Sequence, residues 1–185
     1  MVKKKACIFI SGTGSNLKSI INSSRDPNFP IKINLVLTNN KNAAGINYAK
    51  KYSIPFKIIN DNKKKFERIA FKEIIEKKIK LICLAGFMKI LSKNFIRNFQ
   101  GKIINIHPSL LPKYKGLNTF KRALKNNEKY TGCTVHFVDE KLDNGRAILK
   151  KRVKIYKGET EKILKTRVQK EERKVYSIAI RKVYN

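Results

Sequence analysis

Apolar residues fall into short runs, separated by segments in which they recur every three or four positions. The runs lie at residues 6–10, 31–37, 54–59, 81–85 and 103–107. Short, largely apolar runs rich in Ile fit strands buried on both faces. Helical spacing fills the gaps at residues 17–21, 42–52 and 61–78. The last of these places Phe66, Ile69, Ala70, Ile74 and Ile75 on one side, with Asp61 as the expected cap. Ser92 opens a short helix, and residues 119–124 form another. Residues 133–138 and 147–155 read as two further strands joined by a turn, and residues 159–183 as one long charged helix. Buried strands alternating with amphipathic helices predict an α/β fold. The expected form is Rossmann-like and doubly wound, a mostly parallel sheet with an antiparallel C-terminal edge. No repeat or low-complexity linker divides the chain, so a single domain over residues 1–185 is expected.

In such sheets ligands bind beyond the carboxyl ends of the strands. Three segments lie there, at residues 12–16, 86–91 and 105–107, and are expected to converge on one cleft. The first, Ser11-Gly12-Thr13-Gly14-Ser15-Asn16, joins a strand to a helix, a layout that aims backbone N–H groups at a phosphate. Ser15 or Asn16 would cap that helix. The turn lacks the third glycine of a dinucleotide fingerprint and the Gly-Lys-Ser/Thr of a P-loop, and a plain tight turn has the same composition. In the third, Asn105 and His107 sit two apart on a strand and so share a face. An imidazole moves protons near neutral pH, and an amide beside it can donate to an oxygen that is becoming negative. That pair suggests acyl transfer, although a strand-end histidine is also a common structural residue. Pro108 and Pro112 stop the strand and stiffen the loop after it. Asp143 lies in Asp143-Asn144-Gly145, a turn-forming sequence. If that loop folds back, its carboxylate can face His107 and favour the charged ring.

Composition narrows the alternatives. The net charge is +30, from 43 Lys and Arg against 13 Asp and Glu. Such an excess suits an anionic partner, nucleic acid or membrane, or else reflects drift toward lysine at surface positions. The lysines are spread along the chain rather than massed, and no zinc-knuckle or RNP-type pattern accompanies them. No specific nucleic-acid partner is expected, and phosphorylated or polycarboxylate substrates would be attracted. Cys7, Cys83 and Cys133 are isolated in apolar runs, which argues for a reducing compartment and no disulfide framework. The apolar run after the N-terminal lysines is too short for a signal peptide, and no stretch is long enough to span a membrane. A cytoplasmic protein, monomer or homodimer, is expected.

The wording of the segments carries a resemblance. Asn105-Ile106-His107-Pro108-Ser109-Leu110-Leu111-Pro112 resembles the signature of the folate-dependent formyltransferases. Ser11-Gly12-Thr13-Gly14-Ser15-Asn16-Leu17, the run from Leu84 to Leu91, and Lys113-Tyr114-Lys115-Gly116-Leu117 resemble the glycinamide ribonucleotide branch of that family. The resemblance extends from Ile10 to about Tyr176. It implies transfer of a formyl group from 10-formyltetrahydrofolate to the amine of glycinamide ribonucleotide, a step of purine synthesis, with small-molecule substrates and no metal. Residue by residue, it implies that Asn105, His107 and Asp143 are catalytic. Gly14, Ser15 and Asn16 would hold the substrate phosphate. Gln169, Lys170, Glu171 and Glu172 would reach back to the ribonucleotide. Met88, Lys89, Ile90 and Leu91, with Asp139, Glu140, Lys141 and Leu142, would wall the folate pocket. Lys63 would meet the folate where the family has arginine, keeping the charge and losing the fork geometry. Asn118 and Ser177 depart from the familiar histidine and proline. A transfer-RNA formyltransferase would carry a further C-terminal domain and a formyltetrahydrofolate hydrolase an extra N-terminal one, so the expectation favours the ribonucleotide branch. His136, two residues from Thr134 on a strand, is expected to be mainly structural.

Overall fold

The computed structural model describes residues 2–184. Seven strands form one sheet in the order β3-β2-β1-β4-β5-β6-β7. The strands are β1 (Lys4–Ile10), β2 (Ile31–Thr38), β3 (Phe56–Ile58), β4 (Leu81–Leu84), β5 (Lys102–His107), β6 (Tyr130–Phe137) and β7 (Ala147–Lys154). The helices are α1 (Ser15–Ser24), α2 (Ile46–Lys51), α3 (Lys63–Glu76), α4 (Lys93–Asn98), α5 (Thr119–Lys125) and α6 (Glu161–Tyr184). This is the mostly parallel sheet with an antiparallel C-terminal edge that the pattern predicts. By internal contacts the chain divides into two compact units, one running to Ile104 and including Tyr184, the other Asn105–Val183.

In the first unit β1 pairs in parallel with β2 on one side and β4 on the other, and β2 pairs in parallel with β3. Every residue of β1 from Ala6 to Ile10 is fully buried, as its unbroken apolar run requires. Asn34 is the extra residue at the β1–β2 register shift, where Ala6 faces Ile33 and Cys7 already faces Leu35. Phe9 lies at the centre of the aromatic packing, with ring centroids 5.8 Å from Phe66, 5.3 Å from Phe87 and 6.3 Å from Phe95, all edge-on. Two boundaries differ from the pattern. Asn62, not Asp61, caps α3, its side chain accepting from the Lys65 N–H at 2.9 Å. Asp61 instead pairs with the Lys65 ammonium at 2.6 Å. Helix α2 begins at Ile46 rather than at residue 42, because Gly45 is held in a turn by an N–H bond of 3.0 Å to the Gly12 carbonyl.

In the second unit β6 and β7 run antiparallel, from Tyr130 opposite Lys154 to His136 opposite Ala147. Strand β6 starts three residues before the apolar run that announced it, since Tyr130, Thr131 and Gly132 all find partners on β7. A side chain at Gly132 would place its Cβ 1.9 Å from the Lys151 carbonyl oxygen, so only glycine fits. Helix α6 buries Leu164, Val168, Glu172, Val175, Tyr176, Ala179, Ile180 and Val183, a stripe at three- and four-residue spacing. Among the described residues, no helix is long and apolar enough to cross a membrane.

Candidate active site

In the second unit, β5 ends by presenting Asn105 and His107, and the loop after β6 brings Asp143 to them. Asp143 adopts a left-handed backbone, φ 47°, a conformation Asp tolerates better than most residues. Its neighbour Gly145 lies so close to the backbone that a Cβ there would sit 1.9 Å from the Phe137 carbonyl oxygen. These two positions fold the turn back. Asp143 Oδ2 then lies 3.2 Å from His107 Nδ1 and accepts the Gly116 N–H at 2.8 Å. On the other side of the ring, Nε2 is 2.9 Å from the Tyr114 carbonyl oxygen. Both ring nitrogens therefore face oxygens that can only accept, and the doubly protonated ring satisfies both. His107 and Asp143 are buried. The loop between them is braced from beneath: Ser109 donates to the Lys113 carbonyl at 2.6 Å, while Thr134 donates to the Ser109 carbonyl and accepts from the Leu111 N–H.

His136 belongs to this cluster, which the sequence reading did not see. Its Nδ1 lies 2.7 Å from the Phe137 carbonyl oxygen, so that nitrogen carries the proton. Burial holds the imidazole below its ordinary 6.5, against the opposing pull of that carbonyl and of Asp143. The neutral ring thus offers its Nε2 lone pair to the Asn105 amide, 3.3 Å away. That contact turns the amide nitrogen of Asn105 toward His136 and fixes which end of the amide is the donor. His136 Nε2 also lies 3.7 Å from Asp143 Oδ1, so a proton gained there would find a carboxylate and would cost Asn105 its acceptor. The placement of His136 on the same face as buried Thr134 was the available signal.

A pH effect follows. The folded state resists protonation of His136, so the unfolded chain binds the extra proton first as pH falls below about 6.5. Stability should decline there, by at most about 1.4 kcal/mol per pH unit for one proton. His136→Gln is expected to remove that part of the decline, measured by urea unfolding between neutral pH and mildly acidic pH. Parallel profiles for the two proteins would refute it.

In the first unit the glycine-rich turn differs from expectation at its cap. Gly14, with φ 73°, takes the N-cap position of α1 and makes no side-chain bond, so neither Ser15 nor Asn16 caps the helix. A Cβ at Gly14 would lie 2.4 Å from the Gly45 Cα, which is why both positions are glycine. The turn is anchored by Ser11, whose hydroxyl donates to Asn39 and accepts the Met88 N–H at 2.9 Å. Asn40 adds a bond of 2.9 Å to the Ser11 carbonyl. Asn39 and Asn40 were not singled out in the sequence. Ser15 is half-buried and Asn16 buried at the start of α1.

The remaining candidates are distributed as follows. Met88 and Ile90 are exposed apolar side chains, whereas Leu91 is buried. Lys89 reaches the Asp61 carbonyl at 2.6 Å, and Lys63 stands exposed in the first turn of α3. In the second unit, Asp139 accepts the Lys141 N–H at 2.9 Å, and Leu142 is exposed beside Gly116. Glu140 is half-buried in that turn. Gln169, Lys170, Glu171 and Glu172 occupy one turn of α6 and so point in four directions about its axis. Lys170 is exposed, Glu171 pairs with Lys174 at 3.0 Å, and Glu172 is buried. Burial, then Glu172 and Glu171, push the Cys133 thiol up to about 12. The Cys7 thiol is also pushed up by its burial, so neither is an available nucleophile at neutral pH.

A family model described as formyl transferase matches residues 4–180. The chain is 42% identical over 187 residues to the human trifunctional purine biosynthetic protein adenosine-3, covering 98% of this chain and 18% of that protein. It is 37% identical to a phosphoribosylglycinamide formyltransferase of Haemophilus influenzae, covering 96% of this chain and 86% of the relative. Among solved structures, the phosphoribosylglycinamide formyltransferase of Coxiella burnetii superposes with a TM-score of 0.89 at 39% identity, over 97% of this chain and 86% of the other. The chain thus spans less than a fifth of the length of the trifunctional relatives and most of the length of the bacterial ones.

Proposed function

The chain belongs to the formyl transferase family, and on that premise we propose that it transfers the formyl group of 10-formyltetrahydrofolate to the amine of glycinamide ribonucleotide, in purine synthesis. The observation that carries this reading is the buried array in which Asp143 and the Tyr114 carbonyl hold His107 while neutral His136 orients Asn105. The amine nitrogen attacks the formyl carbon, and the carbonyl oxygen becomes negative. The second N–H of the Asn105 amide and the charged His107 ring donate to that oxygen. The bond from the formyl carbon to the folate nitrogen then breaks. The charged His107 gives its Nε2 proton to the departing folate nitrogen, and the proton lost by the attacking amine then recharges the ring. Because the Tyr114 carbonyl already accepts from Nε2, donation from that nitrogen to substrate exchanges one hydrogen bond for another. No covalent intermediate with the protein is required.

The other assignments complete the reading. The N–H groups at the start of α1, with Ser15 and Asn16, hold the ribonucleotide phosphate. Exposed Met88 and Ile90, Lys63, and the turn from Asp139 to Leu142 meet the folate. Gln169 and Glu172, three apart on α6, share the helix face suited to the ribonucleotide. The whole chain works as one catalytic domain, in the cytoplasm. The test is a turnover assay with glycinamide ribonucleotide and 10-formyltetrahydrofolate, following loss of the formyl group by absorbance. Turnover only when the ribonucleotide is present supports the proposal. Turnover without it would mean hydrolysis of the folate, and no turnover by folded protein would refute formyl transfer to this acceptor.

A further inference from the structure

The lysines look evenly scattered along the chain, but the second unit collects cations and aromatic rings on one surface. Beside β6 and β7 lies an open cleft of about 670 Å³, lined among others by Lys113, Asn126, Lys129, Tyr130 and Arg152. Tyr130 is 40% exposed, and the Arg152 guanidinium stacks 4.1 Å from its ring centroid. The register sets Tyr130 opposite Lys154 and Gly132 opposite Arg152. Lys150, Arg152 and Lys154 therefore line one face of β7, a cation roughly every 6.7 Å. Lys150 is committed to the Leu111 carbonyl. Farther along, Tyr156 is 55% exposed and lies under Lys154 and Arg167, at 5.7 and 4.5 Å. The acids nearby are already spent: Glu128 on Lys113 and the Tyr114 hydroxyl, and Glu159 on Arg167. Lys129, Arg152 and Lys154 have no carboxylate partner among the described residues. Neither Tyr130, Arg152 nor Lys154 has a place in the formyl-transfer chemistry.

We propose that this surface binds single-stranded RNA without sequence preference. Uncompensated cations spaced along an extended strand suit a phosphate backbone, and exposed rings paired with guanidinium groups offer stacking faces that any base can use. The amides of Asn126 and Asn127 at the cleft add donors and acceptors for base edges. A membrane surface would also use the cations, but Tyr130 lines a concave cleft that a flat bilayer surface cannot fill.

The test is fluorescence anisotropy of a labelled oligouridylate of roughly 12 nucleotides, within the range one such groove can cover. The proteins are the wild type, Tyr130→Ala, Arg152→Glu, Lys129→Glu, and Lys32→Glu on the exposed face of β2 as a matched charge change elsewhere. Binding is expected to weaken steeply between about 50 and 200 mM salt. Arg152→Glu and Lys129→Glu are each expected to weaken it about ten-fold and to reduce the salt slope by about one. Tyr130→Ala is expected to weaken it at least five-fold with the salt slope kept, since stacking and not charge is lost. Lys32→Glu should change it less than about two-fold. Thermal melts confirm that each variant is folded. No binding at low salt, an equal loss in Lys32→Glu, or binding to phosphatidylserine vesicles in place of the oligonucleotide would each overturn the proposal.

Discussion

Replacing His107 by alanine is expected to lower kcat by about 10²–10⁴-fold, the usual contribution of a positioned proton-transfer group. The loss should fall on kcat far more than on KM, because the ring is invoked for charge and a proton that develop only after attack. Asp143→Asn tests the same arrangement from the other side. The amide oxygen can still accept the Gly116 N–H, so the turn should keep its shape. The same oxygen still faces His107 Nδ1, and the amide nitrogen takes the other position, on the His136 side. Nδ1 keeps its acceptor, but the negative charge that supports a charged ring is gone. A drop in kcat comparable to that of His107→Ala is expected, with a melting temperature close to that of the wild type. The assay is steady-state formyl transfer at saturating ribonucleotide, with thermal melts alongside. Either variant turning over at near-normal rate while folded would remove His107 and Asp143 from the mechanism.

Asn105 and His107 were legible as a pair in the sequence for a definite reason, whereas Asp143 and the catalytic roles were implied by the family resemblance. Asn105 and His107 lie on one short strand, where a two-residue spacing fixes a shared face without any knowledge of the fold. The buried strands were legible too, because unbroken apolar runs have few alternatives. What escaped was set by distant pairing. His136 reads as one more residue of an apolar strand. Its role depends on the tautomer imposed by the Phe137 carbonyl and on an amide 31 positions away. Tyr130 and Arg152 are similarly unremarkable until the β6–β7 register stacks one on the other. The start of α2 shows a third kind of miss. Ala43 and Ala44 favour a helix, yet Gly45 is required in a turn by its contact with Gly12 and Gly14. Local propensity yields to a close approach of two backbones.

That close approach supports the second large effect. Gly14→Ala is expected to destabilise the protein by about 2–5 kcal/mol and to raise the KM for the ribonucleotide at least ten-fold. The left-handed φ of 73° costs an alanine roughly 1–2 kcal/mol. The added methyl would also lie 2.4 Å from the Gly45 Cα, which is backbone and cannot rotate away. Relief requires the turn or the start of α2 to move, an overpacking cost of about 1–3 kcal/mol. Movement of the turn disperses the N–H groups at the head of α1, and with them the proposed phosphate site, while His107 is untouched; kcat should therefore change little. Gly12→Ala is the control for stability, since a Cβ there meets nothing within 4 Å and its φ is not positive. Its cost should stay within about 0.5 kcal/mol. Urea unfolding gives the stabilities and ribonucleotide saturation curves give the KM. Equal stability of the two variants would mean that the Gly14–Gly45 contact is slack. A destabilised Gly14→Ala with unchanged KM would place the phosphate elsewhere.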